Sequence, residues 1–201
     1  MGKLYIRQAQ AERDARAILE IYAPYIEKTA ITFEKAVPDE AAFTRRIAGI
    51  AGDFPYLLLE EDGQIIGYAY AHRQAERAAF DWNAELSIYM KESCTGRGLG
   101  RPLYALLMRL LERQGYVNLY AVITGSNIRS VAMHEAMGFT RCGFHAHTGY
   151  KFGQWHDTVW LCRRLHENEP KEIIRFDALN AQIVEREIDL ALQEMKDQKE
   201  K

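Results

Sequence analysis

Three glycines at alternate positions, Gly96, Gly98 and Gly100, stand in the run CTGRGLGRPLY with Arg97 and Arg101 beside them. A backbone without Cβ atoms lets a phosphate come close, and the free N–H groups and positive dipole end of a following helix favour an anion. The same run also reads as an ordinary glycine turn. Glu85 lies within AFDWNAELSIYM, among Phe, Trp and Tyr. Desolvation there would raise its pKa toward a range useful for a general base, and a surface strand carboxylate is the other reading. His134 can pass a proton near neutral pH or simply pack near the core. The remaining histidines and the cysteines Cys94, Cys142 and Cys162 show no ligand spacing, so no metal is expected.

The phosphate reading can be narrowed by what surrounds the glycines. A P-loop needs Gly-Lys-Ser/Thr, and Gly100 is followed by Arg101-Pro102. A dinucleotide fingerprint needs a glycine where Leu103 stands and an acid at the end of the next strand, where NLYAVIT has none. Strand, glycine turn and helix remain, with Pro102 suited to a first helical turn because its missing N–H costs little there.

These groups must be positioned by a mixed set of elements. A strand over Lys3–Gln8 precedes a helix with Ala15, Ile18, Leu19, Tyr22 and Ile26 at helical spacing. A loop carries Thr32, Phe33 and Glu34, and Pro38-Asp39 opens a second helix. Asp62-Gly63 turns a hairpin, YLLLEEDGQIIGYAYAHR. Alternation predicts a strand over Ala79–Met90, with Phe80, Trp82, Ala84, Leu86, Ile88 and Met90 on one face and Asp81, Asn83, Glu85, Ser87 and Tyr89 on the other. A Leu-rich helix stops at Gly115, VNLYAVIT forms a strand, NIRSVAMHEA a short helix before Gly138, and two long strands flank a turn at Lys151–Gln154.

With 201 residues, the chain can hold one domain and an appendage. Residues 1–165 form the expected domain, and 166–201 a charged helical extension. An apolar stripe through Ile173, Phe176, Leu179, Ile183, Ile188, Leu192 and Met195 would pack on the domain or on a second copy. A net charge of −2 argues against a broad nucleic-acid footprint. No run reaches the ~20 apolar residues of a membrane span, and the N-terminus does not read as a signal peptide, so a cytoplasmic protein is expected.

Thr95-Gly96-Arg97-Gly98-Leu99-Gly100 resembles the Arg/Gln-x-x-Gly-x-Gly/Ala loop of the GNAT superfamily of N-acetyltransferases, with Thr95 departing from the usual Arg or Gln. NIRSVAMHEAMGF resembles the family's next motif. IYAPYIEKTAITFE, GYAYAHR, RAAFDWNAELSIYM, HEAMGF and GYKFGQWHD narrow the similarity to the phosphinothricin and methionine sulfoximine acetyltransferase branch, over about Leu4 to Leu165. The resemblance implies an α+β fold with a mixed central sheet of about seven strands flanked by helices. It implies acetyl-CoA as co-substrate, a small amino acid or analogue as acceptor, direct transfer in a ternary complex, and a homodimer. Acetylation of a peptide N-terminus or a polyamine, or a non-catalytic CoA-binding interaction protein, are the alternatives.

Residue by residue, the resemblance assigns Arg97, Gly98, Leu99, Gly100 and Arg101 to the pyrophosphate of acetyl-CoA. Asn127 and Ser130 would line the pantetheine, and the backbone of Ile88, Tyr89 and Met90 would pair with it, with the Met90 N–H meeting the oxyanion. Glu85 would be the base, acting through water. His134, where many members have Tyr, would be a second proton carrier. For the acceptor, Arg77 is a carboxylate or phosphinate clamp, since a guanidinium grips such oxygens bidentately. Phe33 and Phe80 would wall the pocket, with Phe80 standing where the branch often has Tyr and Gln74 replacing an aromatic. Lys151 is an anion contact or a solvated hairpin lysine.

Overall fold

The computed structural model describes residues 2–198. Seven strands form one sheet in the order β1-β2-β3-β4-β5-β7-β6. They are β1 (Leu4–Gln8), β2 (Tyr56–Glu61), β3 (Gln64–Arg73), β4 (Asn83–Met90), β5 (Asn118–Thr124), β6 (Thr140–Lys151) and β7 (Gln154–Arg164). Every neighbouring pair is antiparallel except β4 and β5, which run parallel. Five helices accompany them: α1 (Ala11–Lys28), α2 (Glu40–Ala48), α3 (Gly100–Gln114), α4 (Ile128–Ala136) and α5 (Ala181–Asp197).

Period-two alternation sorts the strands onto two faces. Tyr56, Leu58 and Tyr68 face α1 and α2, where they pack with Ile18, Tyr22, Ile26, Phe43 and Ile47. Leu57, Leu59, Ala69, Ala71, Ala84 and Leu86 face the other way, against Leu103, Leu106, Leu107, Leu110 and Leu111 of α3. Local signals set the helix ends. The Asp39 carboxylate accepts the Ala42 N–H at 2.7 Å and caps α2. Gly115, at φ 103°, closes α3 in the left-handed conformation that a side chain would disfavour.

Two expectations need correction. The strand read from Ala79 begins at Asn83, because Ala78–Phe80 forms a 3₁₀ turn instead. An ion pair between Arg73 and Asp81, at 2.8 Å, bridges the base of that loop. The alternation predicted for Ala84 to Met90 does hold within β4. The extension is helical only from Ala181, and residues 166–180 are irregular apart from a 3₁₀ turn at Phe176–Ala178.

That irregular segment is tied down by the polar groups of the domain. The Trp82 indole N–H donates to the Lys171 carbonyl at 2.6 Å. The buried Gln114 amide donates to the carbonyls of Asp53 and Ile174, both at 2.8 Å, and Arg175 pairs with Asp53 and Asp177. Phe176, Ala191 and Met195 then join the α3 side of the core. Ile183, part of the predicted stripe, is exposed instead.

Candidate active site

The parallel pairing of β4 and β5 covers only Asn83–Asn118, Ala84–Leu119 and Glu85–Tyr120. Beyond it β4 continues on β3 as far as Met90, and β5 continues on β7 as far as Thr124. The sheet therefore opens into a wedge immediately after Glu85. Hydrogen bonding alternates sides along an antiparallel strand. Bonds from Gln74 N–H to the Asn83 carbonyl and from Lys91 N–H to the Ile66 carbonyl set the phase. The odd-numbered residues of β4 bond to β3, so the backbone groups of Leu86, Ile88 and Met90 point into the wedge.

Ile88 and Met90 thus stand where an extended chain could add as a strand. Tyr89 does not, since its backbone is directed at β3. Its ring instead joins the aromatic floor, packing on Tyr22, Tyr25 and Tyr68. The Met90 carbonyl accepts the Tyr25 hydroxyl at 2.6 Å, which leaves the Met90 N–H as that residue's group for an incoming oxygen.

Glu85 sits at the apex of the wedge, with its side chain 24 % exposed and 4.0 Å from His72 Nε2. Burial raises its pKa above the ordinary carboxylate value, and the opposing charge of a protonated His72 pulls it back down. A carboxylate of raised pKa, open to solvent on one side, is suited to taking a proton from an ammonium through water.

His134, on α4, lies on the other side of the sheet and is buried, 3 % exposed. Its Nδ1 is 2.7 Å from the Ser130 carbonyl. A carbonyl only accepts, so Nδ1 carries the proton and Nε2 accepts the Tyr104 hydroxyl at 2.8 Å. Burial lowers the His134 pKa, against the Ser130 bond that raises it. Tyr104 is a site residue the sequence reading missed, hidden within an apolar helical run. The available signal was the hydroxyl itself, which needs a partner when a tyrosine is buried.

At the wedge's wide end, Gly96 and Gly98 adopt φ of 75° and 77°, followed by Leu99 and Gly100 at the start of α3. A Cβ on Gly100 would meet Ile88 Cδ1 at 3.5 Å, an ordinary contact. The Thr95 hydroxyl is spent on the Glu92 carbonyl of its own turn, at 2.9 Å. Arg97 forks onto the Glu61 carboxylate at 2.7 and 2.8 Å, which fixes the loop to the end of β2. Arg101 donates to the Ala136 carbonyl at 3.1 Å and ties α3 to α4. The guanidinium of Arg129, on α4, lies 4.0 Å from the position of a Gly96 Cβ. This is a second missed residue, an exposed cation beside the glycine loop, brought there by packing rather than by sequence proximity. The Asn127 side-chain Oδ1 caps α4, accepting the Ser130 N–H at 3.3 Å.

The acceptor candidates divide. Phe33 lies close against Gly149, where any Cβ would collide with its ring, and 6.2 Å from the His156 ring. Lys151 is buried, 5 % exposed, so the solvated reading is wrong. Its ammonium donates to the Thr32 carbonyl at 2.7 Å and staples the β6–β7 hairpin to the loop that carries Phe33. Thr124 holds the same loop through the Ala30 carbonyl at 2.6 Å. Arg77 and Phe80 are exposed on the β3–β4 connection. Among the described residues no three or more His, Cys, Asp or Glu gather as a metal site, and no helix is long and apolar enough to cross a membrane.

Packed tyrosines beside β4, a raised-pKa carboxylate at a strand parting and a glycine turn leading into a helix bring together a candidate base and a candidate anion site. Residues 6–160 match the acetyltransferase (GNAT) domain model, and the chain belongs to that family. It is 35% identical over 158 residues to the phosphinothricin N-acetyltransferase of Alcaligenes faecalis, spanning 78% of this chain and 80% of that one. It is 30% identical over 156 residues to the L-methionine sulfoximine/L-methionine sulfone acetyltransferase of Salmonella typhimurium, spanning 77% of this chain and 91% of that one. A crystal structure of a GNAT superfamily phosphinothricin acetyltransferase from Sinorhizobium meliloti in complex with acetyl-CoA superposes with a TM-score of 0.80. It shows 35% identity over 88% of this chain and 97% of that one.

Proposed function

We propose that this N-acetyltransferase moves the acetyl group of acetyl-CoA onto the α-amino group of a small amino acid or analogue of the phosphinothricin, methionine sulfoximine or methionine sulfone type. The observation that carries this is the parting of β4 and β5 directly after Glu85. That parting supports a reading in which Glu85 stands between the amine of the acceptor and the thioester of the donor.

The acetyl-CoA pyrophosphate rests on the N–H groups of Gly98, Leu99, Gly100 and Arg101, with Arg97 and Arg129 at its edge. The pantetheine runs along Ile88 and Met90 past Asn127 and Ser130. Glu85 takes a proton from the ammonium through water, because only the free amine has a lone pair. That lone pair attacks the thioester carbon while the Met90 N–H steadies the oxyanion. The C–N bond forms, the C–S bond breaks, and the proton that the acylated nitrogen sheds replaces the one that the Tyr104 hydroxyl, bonded to His134 Nε2, gives to the leaving thiolate. Arg77 holds the acceptor's carboxylate or phosphinate, between Phe33 and Phe80. Lys151 acts on the acceptor by fixing the Phe33 loop.

We further infer a cytoplasmic homodimer. Phe144, Tyr150, Phe152 and Trp155 leave an apolar strip on the β6–β7 hairpin, with Phe144 62% and Trp155 58% exposed, of the kind that subunit contacts cover. All three cysteines are free thiols, as a reducing compartment favours. A thiol-release assay on a panel of amines tests the function. Turnover on methionine sulfone, methionine sulfoximine or phosphinothricin above that on peptides and polyamines is expected. Binding of acetyl-CoA without turnover on any amine would refute it.

A further inference from the structure

The family match ends at residue 160, yet the segment beyond it returns to the cofactor loop. The route is fixed by named contacts. The chain crosses the C-terminal end of α3, where a Cβ on Gly115 would meet the Glu172 carbonyl at 3.2 Å. Helix α5 then runs antiparallel to α3. Glu187 pairs with Arg113 at 3.0 Å and with Arg109 at 2.8 Å, and Glu194 pairs with Arg109 at 3.2 Å. Ala191 and Met195 are fully buried between the helices. One more turn brings Gln198 to Gly98, whose Cβ would stand 3.0 Å from Gln198 Oε1 and 3.8 Å from Gln198 Cβ.

The consequence is chemical. A side-chain amide lies on the glycine that offers its backbone to the pyrophosphate, and an amide has two N–H donors that can turn toward an anion. Which end of the amide faces the loop follows from what occupies it, since oxygen and nitrogen differ little in size. The helix that carries it is anchored by ion pairs and apolar burial, so the backbone of Gln198 is already beside the loop and only its side chain has to be ordered on binding. The C-terminal end of α5 is the negative pole of its dipole. A neutral donor there can serve an anion where a carboxylate could not.

We infer that Gln198 is an additional binding residue for acetyl-CoA, contributed by the C-terminal extension, and that it closes the pyrophosphate cradle over Gly98. This rests on the acetyl-CoA reading of the glycine loop. The experiment uses the full chain and compares kcat/KM for acetyl-CoA with that for S-acetylpantetheine, which lacks the pyrophosphate and the nucleotide. Gln198→Ala is expected to raise the KM for acetyl-CoA about tenfold, the scale of one hydrogen bond to a charged group, with kcat at saturation kept. The effect on S-acetylpantetheine stays below about twofold. Gln198→Glu is expected to lose more than Gln198→Ala, because it places a carboxylate against the phosphates, and the excess shrinks as salt is added.

An unchanged KM in both variants overturns the inference, as does tighter acetyl-CoA binding by Gln198→Ala, which would make the amide an obstruction. Equal losses with both acyl donors overturn it too, by showing a general structural effect. Failure of the wild-type chain to bind acetyl-CoA at all would instead sink the reading of the loop, and so is told apart from failure of Gln198.

Discussion

Gly98 and Gly100 share a motif but differ in what they ask of the backbone, and the difference can be measured. Gly98 sits at φ 77°, in the left-handed region. An alanine there costs about 1–2 kcal/mol from Cβ–carbonyl crowding alone. Its Cβ would also stand 3.0 Å from Gln198 Oε1, the movable end of a long side chain, which adds little. Gly100 opens α3, and an added methyl would meet only the Ile88 and Met90 side chains, at 3.5 Å and beyond. Alanine also gains about 1 kcal/mol of helix propensity over glycine.

The strain in Gly98→Ala has two outlets. If the loop keeps its shape, the cost falls on folding, and Tm drops by roughly 2–8 °C for a chain of this size. If the loop relaxes, the cost falls on the cradle, and the Kd for acetyl-CoA rises about 5- to 30-fold. Thermal melts and acetyl-CoA titrations on both single variants capture the two outlets together. Gly100→Ala should change Kd less than twofold and leave Tm level or slightly higher. Equal losses in the two variants, or none in Gly98→Ala, would refute the assignment of the cradle's shape to the left-handed glycine.

Glu85→Gln should lower kcat by about 10²–10⁴-fold, the usual range for a general base, with the Kd for acetyl-CoA kept; unchanged turnover removes Glu85 from the mechanism. Because burial raises the Glu85 pKa, kcat/KM should climb with pH through a midpoint above the ordinary carboxylate range. His72→Gln should push that midpoint higher by removing the opposing charge. The same raised pKa means that ionised Glu85 costs stability, an effect absent at low pH and growing as pH rises through its titration. Glu85→Gln should therefore raise Tm slightly at neutral pH while it lowers turnover. Asp14 behaves oppositely: burial opposes its charge, but bonds from Arg7, the Gln10 N–H and Arg13 prevail and bring its pKa down to about 2. It should contribute about 2 kcal/mol above pH ~4 that is lost as pH falls toward 2, and acid-unfolding curves of Asp14→Asn should lack that loss. Cys94→Ala should retain activity within about twofold, since direct transfer needs no acyl-thiol intermediate; near-total loss would overturn direct transfer.

Local chemistry was legible in the sequence where one stretch of chain contained the whole cause. Asp62-Gly63, Asp39 and Gly115 set their turn, cap and stop within a few residues, and the two faces of β4 followed from alternation alone. The start of β4 was misread because Phe80 and Trp82 keep the right period, although Ala78–Phe80 turns away. Contacts between distant segments left no such trace. The Tyr104–His134 bond joins residues 30 positions apart, and the Lys151–Thr32 bond joins residues 119 apart. Periodicity carries nothing about such pairs. The resemblance located Glu85 and the glycine loop, while their neighbours His72, Arg129 and Gln198 became visible only in three dimensions.

The two faces of the sheet explain why a single strand carries so much of the site. The side toward α1 and α2 gathers Tyr22, Tyr25, Tyr68 and Tyr89, an amphipathic floor suited to a small zwitterion. The side toward α3 and α4 holds the glycine turn and the buried His134–Tyr104 pair. Under the proposed function an acetyl group passes from a carrier on one side to an amine on the other, and a continuous sheet would block it. Strand β4 resolves this by alternation: its odd residues send Glu85 and Tyr89 to the acceptor floor, and its even residues aim backbone groups into the wedge. Pairing with β5 must then stop at Glu85. A residue earlier would lose the register pair of Glu85 with Tyr120, and further pairing would consume the Ile88 and Met90 backbone groups that the proposed pantetheine contact uses.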